Sequence, residues 1–344
     1  MFGELVSFLF SLQSFLLVII LIVTLYAISC LLFPDVPVSD LEKKAVLITG
    51  CDSGFGYELA KKLDSRGLQV FAGCLTSDGQ AKLRSECSTR MTTLELDVVN
   101  QSDIQKALEV VQSLLSLSGT NGLWAVVNNA GIAMLGPFEW QTIEEMRRTV
   151  DVNLWGMVLV TKTFLPLLKR TKGRVINVAS TSGRVASPGA MAYSISKYGV
   201  EAFSDCLRNE MKHFGVTVHI IEPGNFKTNI SSVEKNCQQL ERLWAKLDIE
   251  TKESYGKGYY DQAITFISTM LPLLGSTKIY KVVNVMEHAI TSTRPKLWYM
   301  IGWDANLLWR TASFLPSEMQ DLVYFSFPKP QGISDCKDER ESKM

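Results

Sequence analysis

An α/β fold with a doubly wound parallel sheet is the fold class that this 344-residue sequence predicts, and three observations predict it. Short apolar runs alternate with stretches of helical period from Ala45 to Ile221. A glycine-rich loop, Thr49-Gly50-Cys51-Asp52-Ser53-Gly54-Phe55-Gly56, follows the first run and opens the first helical stretch. A serine, a tyrosine and a lysine stand as Ser180-(x)12-Tyr193-x-x-x-Lys197 late in the same alternation.

The elements follow in order. From Leu5 to Phe33 there is no charged residue. A helix crossing a hydrocarbon core of about 30 Å needs about 20 apolar residues, so residues 1–34 are read as a transmembrane anchor. A cleaved signal peptide would have a basic start and a small-x-small cleavage site, and a mitochondrial presequence would be amphipathic and Arg-rich; this segment has neither pattern. Lys43 and Lys44 beyond the span favour a cytosolic catalytic domain on the endoplasmic reticulum membrane, with the mitochondrial inner membrane as the alternative. Asn100-Gln-Ser and Asn229-Ile-Ser match the glycosylation pattern and are read as chance occurrences. Residues 35–43 form a proline-punctuated linker.

Residues 44–230 form the dinucleotide-binding core. Ala45–Ile48 is the first strand and Glu58–Leu63 lies in the first helix. Val70–Leu75 and Thr92–Leu96 are the second and third strands, and Asp103–Leu117 is an amphipathic helix. Trp124–Val127, Arg174–Val178 and Val216–Ile221 complete the series. This is a Rossmann-type order, with helices on both faces and ligands at the carboxyl ends of the strands. Residues 231–330, rich in Trp244, Tyr255, Tyr259, Tyr260, Phe266 and Trp298, are read as a helical extension covering the substrate. Residues 331–344, charged and without period, are read as a disordered tail.

Lys+Arg 35 equals Asp+Glu 35, so nothing draws the chain to nucleic acid. The seven cysteines contain no CxxC pair and the three histidines are scattered, which excludes a disulfide scaffold and predicts no metal.

A phenol and an ammonium four residues apart share one helix face. The cation favours the phenolate and draws the tyrosine from about 10 towards the range of a working acid/base. The Ser180 hydroxyl can hold a substrate oxygen. In the loop, Gly50 permits a tight turn, while Gly54 and Gly56 let backbone approach a pyrophosphate at a helix N-terminus. Cys74-Leu75-Thr76, at the end of the second strand, offers neither an acid for a ribose hydroxyl nor an arginine for a 2′-phosphate. Asp52 would repel a phosphate, so NAD is expected before NADP. The aromatic extension suits a lipophilic alcohol or ketone. A small carboxylate substrate would require a cation, for which Arg184, Lys227 and Lys257 are candidates, Arg184 being close to Ser180.

Taken together these motifs resemble the short-chain dehydrogenase/reductase family. The resemblance runs from about Ala45 to Gly224 through TGxxxGxG at Thr49–Gly56, Asp97-Val98, Asn128-Asn129-Ala130-Gly131, Asn153, Ser180, Tyr193-x-x-x-Lys197 and Pro223-Gly224. It implies that Tyr193 is the general acid/base, that Lys197 lowers its pKa and contacts the nicotinamide ribose, and that Ser180 steadies the substrate oxygen. Asn153 would hold a water connecting Lys197 to solvent. The implied coenzyme residues are Thr49, Gly50, Asp52, Ser53, Gly54, Phe55, Gly56, Asp97, Val98, Asn129, Ala130, Gly131, Pro223 and Gly224, together with Tyr193 and Lys197. Within the family, Gly50–Gly56 and Gly199–Ser204 resemble the group of retinol dehydrogenases, 17β-hydroxysteroid dehydrogenases and D-3-hydroxybutyrate dehydrogenase. The anchor and Gly302–Trp309 are similar to the retinol and steroid enzymes, whereas Phe71–Leu75 and Glu222–Phe226 are similar to the hydroxybutyrate enzyme. The implied function is a membrane-anchored, NAD-dependent oxidoreductase of a lipophilic alcohol, with membrane lipids and a second copy of the chain as partners. D-3-hydroxybutyrate oxidation is the alternative. An inactive membrane scaffold is the remote one, and the presence of Ser180, Tyr193 and Lys197 stands against it.

Overall fold

The computed structural model describes residues 13–25, 28 and 35–323. The expected transmembrane segment and the expected tail fall largely or wholly outside them. The described part of the apolar segment is helix α1 (13–25), and its apolar side chains are exposed. Among the described residues no helix is long and apolar enough to cross a membrane.

The chain divides into two units. In the smaller, the linker pairs with Thr291–Arg294: the Val38 N–H donates to Thr291 O at 2.6 Å and the Thr293 N–H to Val36 O at 2.8 Å. The larger unit holds the sheet. Its strands are β1 (Ala45–Thr49), β2 (Gln69–Cys74), β3 (Met91–Glu95), β4 (Ala125–Asn128), β5 (Arg174–Val178), β6 (Thr217–Pro223) and β7 (Trp298–Ile301). All pair in parallel in the order β3-β2-β1-β4-β5-β6-β7. The order reverses between β1 and β4, where a doubly wound sheet opens a crevice for ligands.

The helices are α2 (Gly54–Ser65), α3 (Ser77–Glu86), α4 (Gln101–Leu117), α5 (Ile143–Val150), α6 (Gly156–Thr171), α7 (Met191–Met211), α8 (Val233–Lys246), α9 (Ile249–Tyr255), α10 (Lys257–Leu274) and α11 (Tyr280–Thr291). Strand residues alternate between two cores because successive side chains point to opposite faces. Val46, Ile48, Val70 and Ala72 pack with Leu59 and Leu63 of α2 and Val282 and Met286 of α11. Ala45, Leu47, Phe71 and Val126 pack with Ile104 and Val111 of α4, Phe164 of α6 and Leu207 of α7. Buried on both faces, these strands read as continuous apolar runs.

The six expected strands are present, each within a residue or two of its expected ends. The seventh was not expected. Trp298-Tyr299-Met300-Ile301 is only four residues long and lies among further aromatic residues, so it reads as an aromatic patch rather than a strand. It pairs with β6 through Ile220↔Trp298 and Pro223↔Ile301, and α11 packs on the sheet. The stretch expected to be a covering extension therefore divides: α8 to α10 pack over the loop after β4, whereas α11 and β7 complete the core. Arg174 supports that edge from inside, donating to the Ala289 and Ile290 carbonyls of α11 at 2.8 and 3.0 Å.

Candidate active site

The carboxyl ends of β1, β4, β5 and β6 carry the residues singled out above. After β1 the chain turns at Gly50 (φ +71°), where a Cβ would lie 2.7 Å from the Ala130 backbone. Gly56 is equally confined, since a Cβ would meet the Asn129 amide and the Gly50 carbonyl at 2.5 Å. Asn129 holds the two loops together, its amide donating to the Thr49 and Gly50 carbonyls at 2.9 and 3.0 Å. The Thr49 hydroxyl in turn accepts the Asn129 and Ala130 N–H groups at 3.0 and 3.1 Å.

These loops fit a dinucleotide. Helices α3, α4, α5, α8 and α9 are capped by a side chain of the preceding residue, but Ser53, which precedes α2, makes no such bond. The first N–H groups of α2 are thus left for an anion, which the helix dipole favours. Gly54 (φ +67°) opens this space, with Thr228 no nearer than 3.8 Å to a Cβ there. Ser53 accepts from the Asn229 amide at 2.8 Å, and Phe55 meets Phe226 edge to face at 5.9 Å. Asp97 turns its carboxylate to the Val99 N–H at 3.1 Å. Val98 is buried against Gly156.

Asp52 does more than carry charge. Its carboxylate accepts from the Leu75 and Thr76 N–H groups at 2.8 and 2.9 Å and from the Thr76 hydroxyl at 2.6 Å. The backbone donors just beyond β2 are thus filled by the protein's own anion. Gly79 keeps room for it, because a Cβ there would lie 2.6 Å from Asp52 Oδ1.

Ser180 follows β5 and caps the 3₁₀ turn Thr181–Gly183, its Oγ accepting the Ser182 N–H at 3.2 Å. Tyr193 and Lys197 share a face of α7. The Lys197 Nζ lies 5.5 Å from the centre of the Tyr193 ring and donates to Val178 O at 2.8 Å. Burial pulls Lys197 down to about 8, with Glu201 acting against it. Burial also pushes Tyr193 above the ordinary phenol range, opposed by its hydrogen bond with Ser180. This corrects the sequence expectation that Lys197 draws the phenol down. The loss of water around the phenol outweighs its hydrogen bond with Ser180.

A buried amide ladder sets the pitch of α7 against the sheet. The Asn128 amide donates to Thr161 and to Asn177 at 2.8 Å each, and the Asn177 amide donates to Ser204 at 2.8 Å. Asn153 lies in a π-helical turn, Asp151–Trp155, between α5 and α6. Its Oδ1 accepts the Ile132 N–H at 2.8 Å, while its Nδ2 donates to Ile132 O at 2.9 Å and to Ser196 Oγ at 3.0 Å. The side-chain amide is therefore committed to bracing the loop after Gly131 against α7.

Arg184 also departs from expectation. It follows the 3₁₀ turn after Ser180, but its Nε donates to Glu222 Oε1 at 2.6 Å and its Nη2 lies 3.8 Å from Glu201 Oε2. Glu222 is 1% exposed, so the guanidinium neutralises a buried carboxylate, with the Glu201 carboxyl beside it. Sequence reasoning missed this triad because its members are 17 and 38 residues from Arg184. The Trp298 ring lies beside Arg184 and Arg208, 6.0 and 5.0 Å from the guanidinium carbons, in the sheet rather than in a pocket.

The chain after β4 runs to a 3₁₀ turn at Phe138–Trp140, and α8 to α10 close over it. The Trp140 ring is buried among Trp244, Tyr255 and Tyr259, at centroid distances of 5.1, 5.4 and 5.8 Å. Leu240, Leu243 and Ile264 complete this apolar wall. Lys227 and Lys257 take no part in that cluster. Among the described residues no group of His, Cys, Asp and Glu could hold a metal ion.

Comparison with known proteins agrees with this geometry. The short chain dehydrogenase family matches residues 44–238. Retinol dehydrogenase 7 of Rattus norvegicus is 44% identical over 295 residues, covering 85% of this chain and 92% of the relative. The 17-beta-hydroxysteroid dehydrogenase type 6 of Bos taurus is 45% identical over 295 residues, with the same coverage. A short-chain dehydrogenase structure from Streptomyces avermitilis matches 81% of this chain and 94% of its own with a TM-score of 0.62; at 23% identity it speaks to the fold alone.

Proposed function

The chain belongs to the short chain dehydrogenase family and is an oxidoreductase acting on CH–OH groups with a nicotinamide coenzyme; on that premise we propose that it is membrane-anchored, uses NAD, and interconverts a lipophilic alcohol of the retinol or hydroxysteroid class with its carbonyl. A bound coenzyme supplies the hydride acceptor for the carbinol carbon. The α2 N-terminus, Gly54, Gly56 and Asn129 would hold its pyrophosphate side, and Pro223-Gly224 its nicotinamide side. Ser180 holds the substrate oxygen, and Tyr193 as phenolate takes the hydroxyl proton. Lys197, anchored on Val178 O, favours the phenolate and positions the ribose. Asn153 keeps the Ile132 loop and α7 in register. Asp52, occupying the donors beyond β2, supports NAD over NADP.

The observation that carries the lipophilic reading is the state of Arg184. A small carboxylate substrate needs a cation near Ser180, and this one is already committed to Glu222 and Glu201. A hollow lined by Phe138, Pro188, Met191, Ile195 and Tyr198 instead offers apolar surface. The names of the relatives, a retinol dehydrogenase and a 17-beta-hydroxysteroid dehydrogenase, support the same class. The test is NAD reduction by the detergent-solubilised protein with all-trans-retinol, estradiol and D-3-hydroxybutyrate side by side, with Tyr193→Phe as blank. Turnover of retinol or estradiol is expected; turnover of hydroxybutyrate alone would overturn the reading.

A further inference from the structure

The turn Gly302-Trp303-Asp304, just beyond β7, closes on the loop that follows β6. Asp304 is 1% exposed. Its Oδ2 accepts the Asn225 backbone N–H at 2.8 Å and the Asn225 side-chain amide at 3.0 Å. Its Oδ1 is buried with no hydrogen-bond partner. The carboxylate lies directly on Gly224, where a Cβ would come within 2.3 and 2.5 Å of its two oxygens. Gly302, at φ +125°, gives way in the same manner, with a Cβ 2.5 Å from Oδ1. The Gly224 N–H donates to Ile301 O at 2.8 Å, which locks the two segments together.

Two glycines therefore make room for a carboxylate that receives only neutral donors, with one oxygen receiving none. Burying a carboxyl group in this state is unfavourable unless a compensating positive charge arrives. Gly224 belongs to the loop assigned above to the nicotinamide side of the coenzyme. A nicotinamide ring is cationic when oxidised and neutral when reduced. A fixed negative charge behind this loop therefore interacts differently with the two states, which is the requirement for shifting an equilibrium between them. We propose that Asp304 is a coenzyme-selecting residue: its charge strengthens binding of the oxidised coenzyme relative to the reduced one. The inference rests on the assignment of Pro223-Gly224 to the nicotinamide, and not on the choice of NAD over NADP.

Binding is measured without substrate, by calorimetry for NAD+ and by ligand fluorescence for NADH, on the full-length detergent-solubilised protein. Asp304→Asn keeps the shape and an acceptor for Asn225 but removes the charge. The NAD+ dissociation constant is expected to rise about tenfold, the size of one partly screened charge contact. The NADH constant should stay within about twofold. Equal weakening of both would reduce Asp304 to a structural pin and overturn the proposal, as would no change in either. Asn225→Ala loosens the same loop while leaving the charge, and should weaken both forms alike; a shift of their ratio there would also overturn it. If the wild type binds only NADP+ and NADPH, the NAD reading fails, and the same ratio on that pair decides the role of Asp304.

Discussion

Replacing Glu201 with glutamine should change how stability depends on pH. Glu201 sits one turn beyond Lys197 on α7, with its side chain 14% exposed. Burial first, and then the adjacent Glu222, push its carboxyl up to about 9, while Arg184 pulls the other way. In the unfolded chain the same group titrates near 4.5. Between those values the folded protein holds a proton that the unfolded chain has released. A raised pKa gives stability that is complete below the unfolded value and is lost as pH rises through the folded one. The slope is about 1.4 kcal/mol per pH unit in the middle of the window. From pH 6 to pH 8 the wild type should therefore lose stability relative to Glu201→Gln, by at most that slope, since Glu222 can hold part of the shared proton in the variant.

Lys197, lowered to about 8, acts in the opposite sense at higher pH, and His219, lowered to about 4 by burial, does so at lower pH. Both are present in either protein and largely cancel in the comparison. Charged neighbours of Glu201 are Arg184 from the turn after β5, Glu222 from β6, and Lys197 and Asp205 from its own helix. Helix α5 and the π-helical turn meet α7 elsewhere, through Gly199 against Leu154, about 200° round the helix. The assay is urea unfolding of both full-length proteins in detergent at pH 6, 7 and 8. Curves that stay parallel across this range would refute the reasoning, because Glu201 would then be ionised in the folded state throughout.

Three further outcomes are expected. Tyr193→Phe removes the proton acceptor and should lower kcat by about 10² to 10⁴ with coenzyme affinity unchanged; a steady-state rate within tenfold of wild type would exclude Tyr193 as the base. Gly156→Ala places a methyl group 2.7 Å from Val98 Cγ2 and 3.1 Å from its carbonyl oxygen, and should destabilise by about 1 to 3 kcal/mol; an unchanged melting temperature contradicts that packing. Arg184→Met leaves Glu222 buried without its cation and should destabilise by about 3 to 5 kcal/mol, most of it recovered by adding Glu222→Gln; a single variant as stable as wild type shows that the pair is not held as described.

The six strands from β1 to β6 were legible in the sequence because each is a compact apolar run, which is what burial on both faces of a parallel sheet requires. The glycine loop and the Ser180, Tyr193 and Lys197 set were legible for a different reason: their chemistry demands particular residue types at short, fixed spacings. β7 was not legible, because four residues carry too little periodicity to separate a strand from an aromatic patch. Arg184 was singled out as a possible substrate cation, but nothing local tells that it faces Glu222 across the sheet edge.

The sequence by itself determined the alternation of strand and helix, the dinucleotide loop and the identity of the reacting side chains, since these depend on residue type and local order. Only the tertiary structure decided the environment of each group. It set burial above the Ser180 hydrogen bond at Tyr193, committed the Asn153 amide to Ile132 and Ser196, paired Arg184 with Glu222, and brought Asp304 onto Gly224 from 80 residues away. The physical reason is that desolvation and charge pairing depend on distances in space, and the partners that supply them are far apart along the chain.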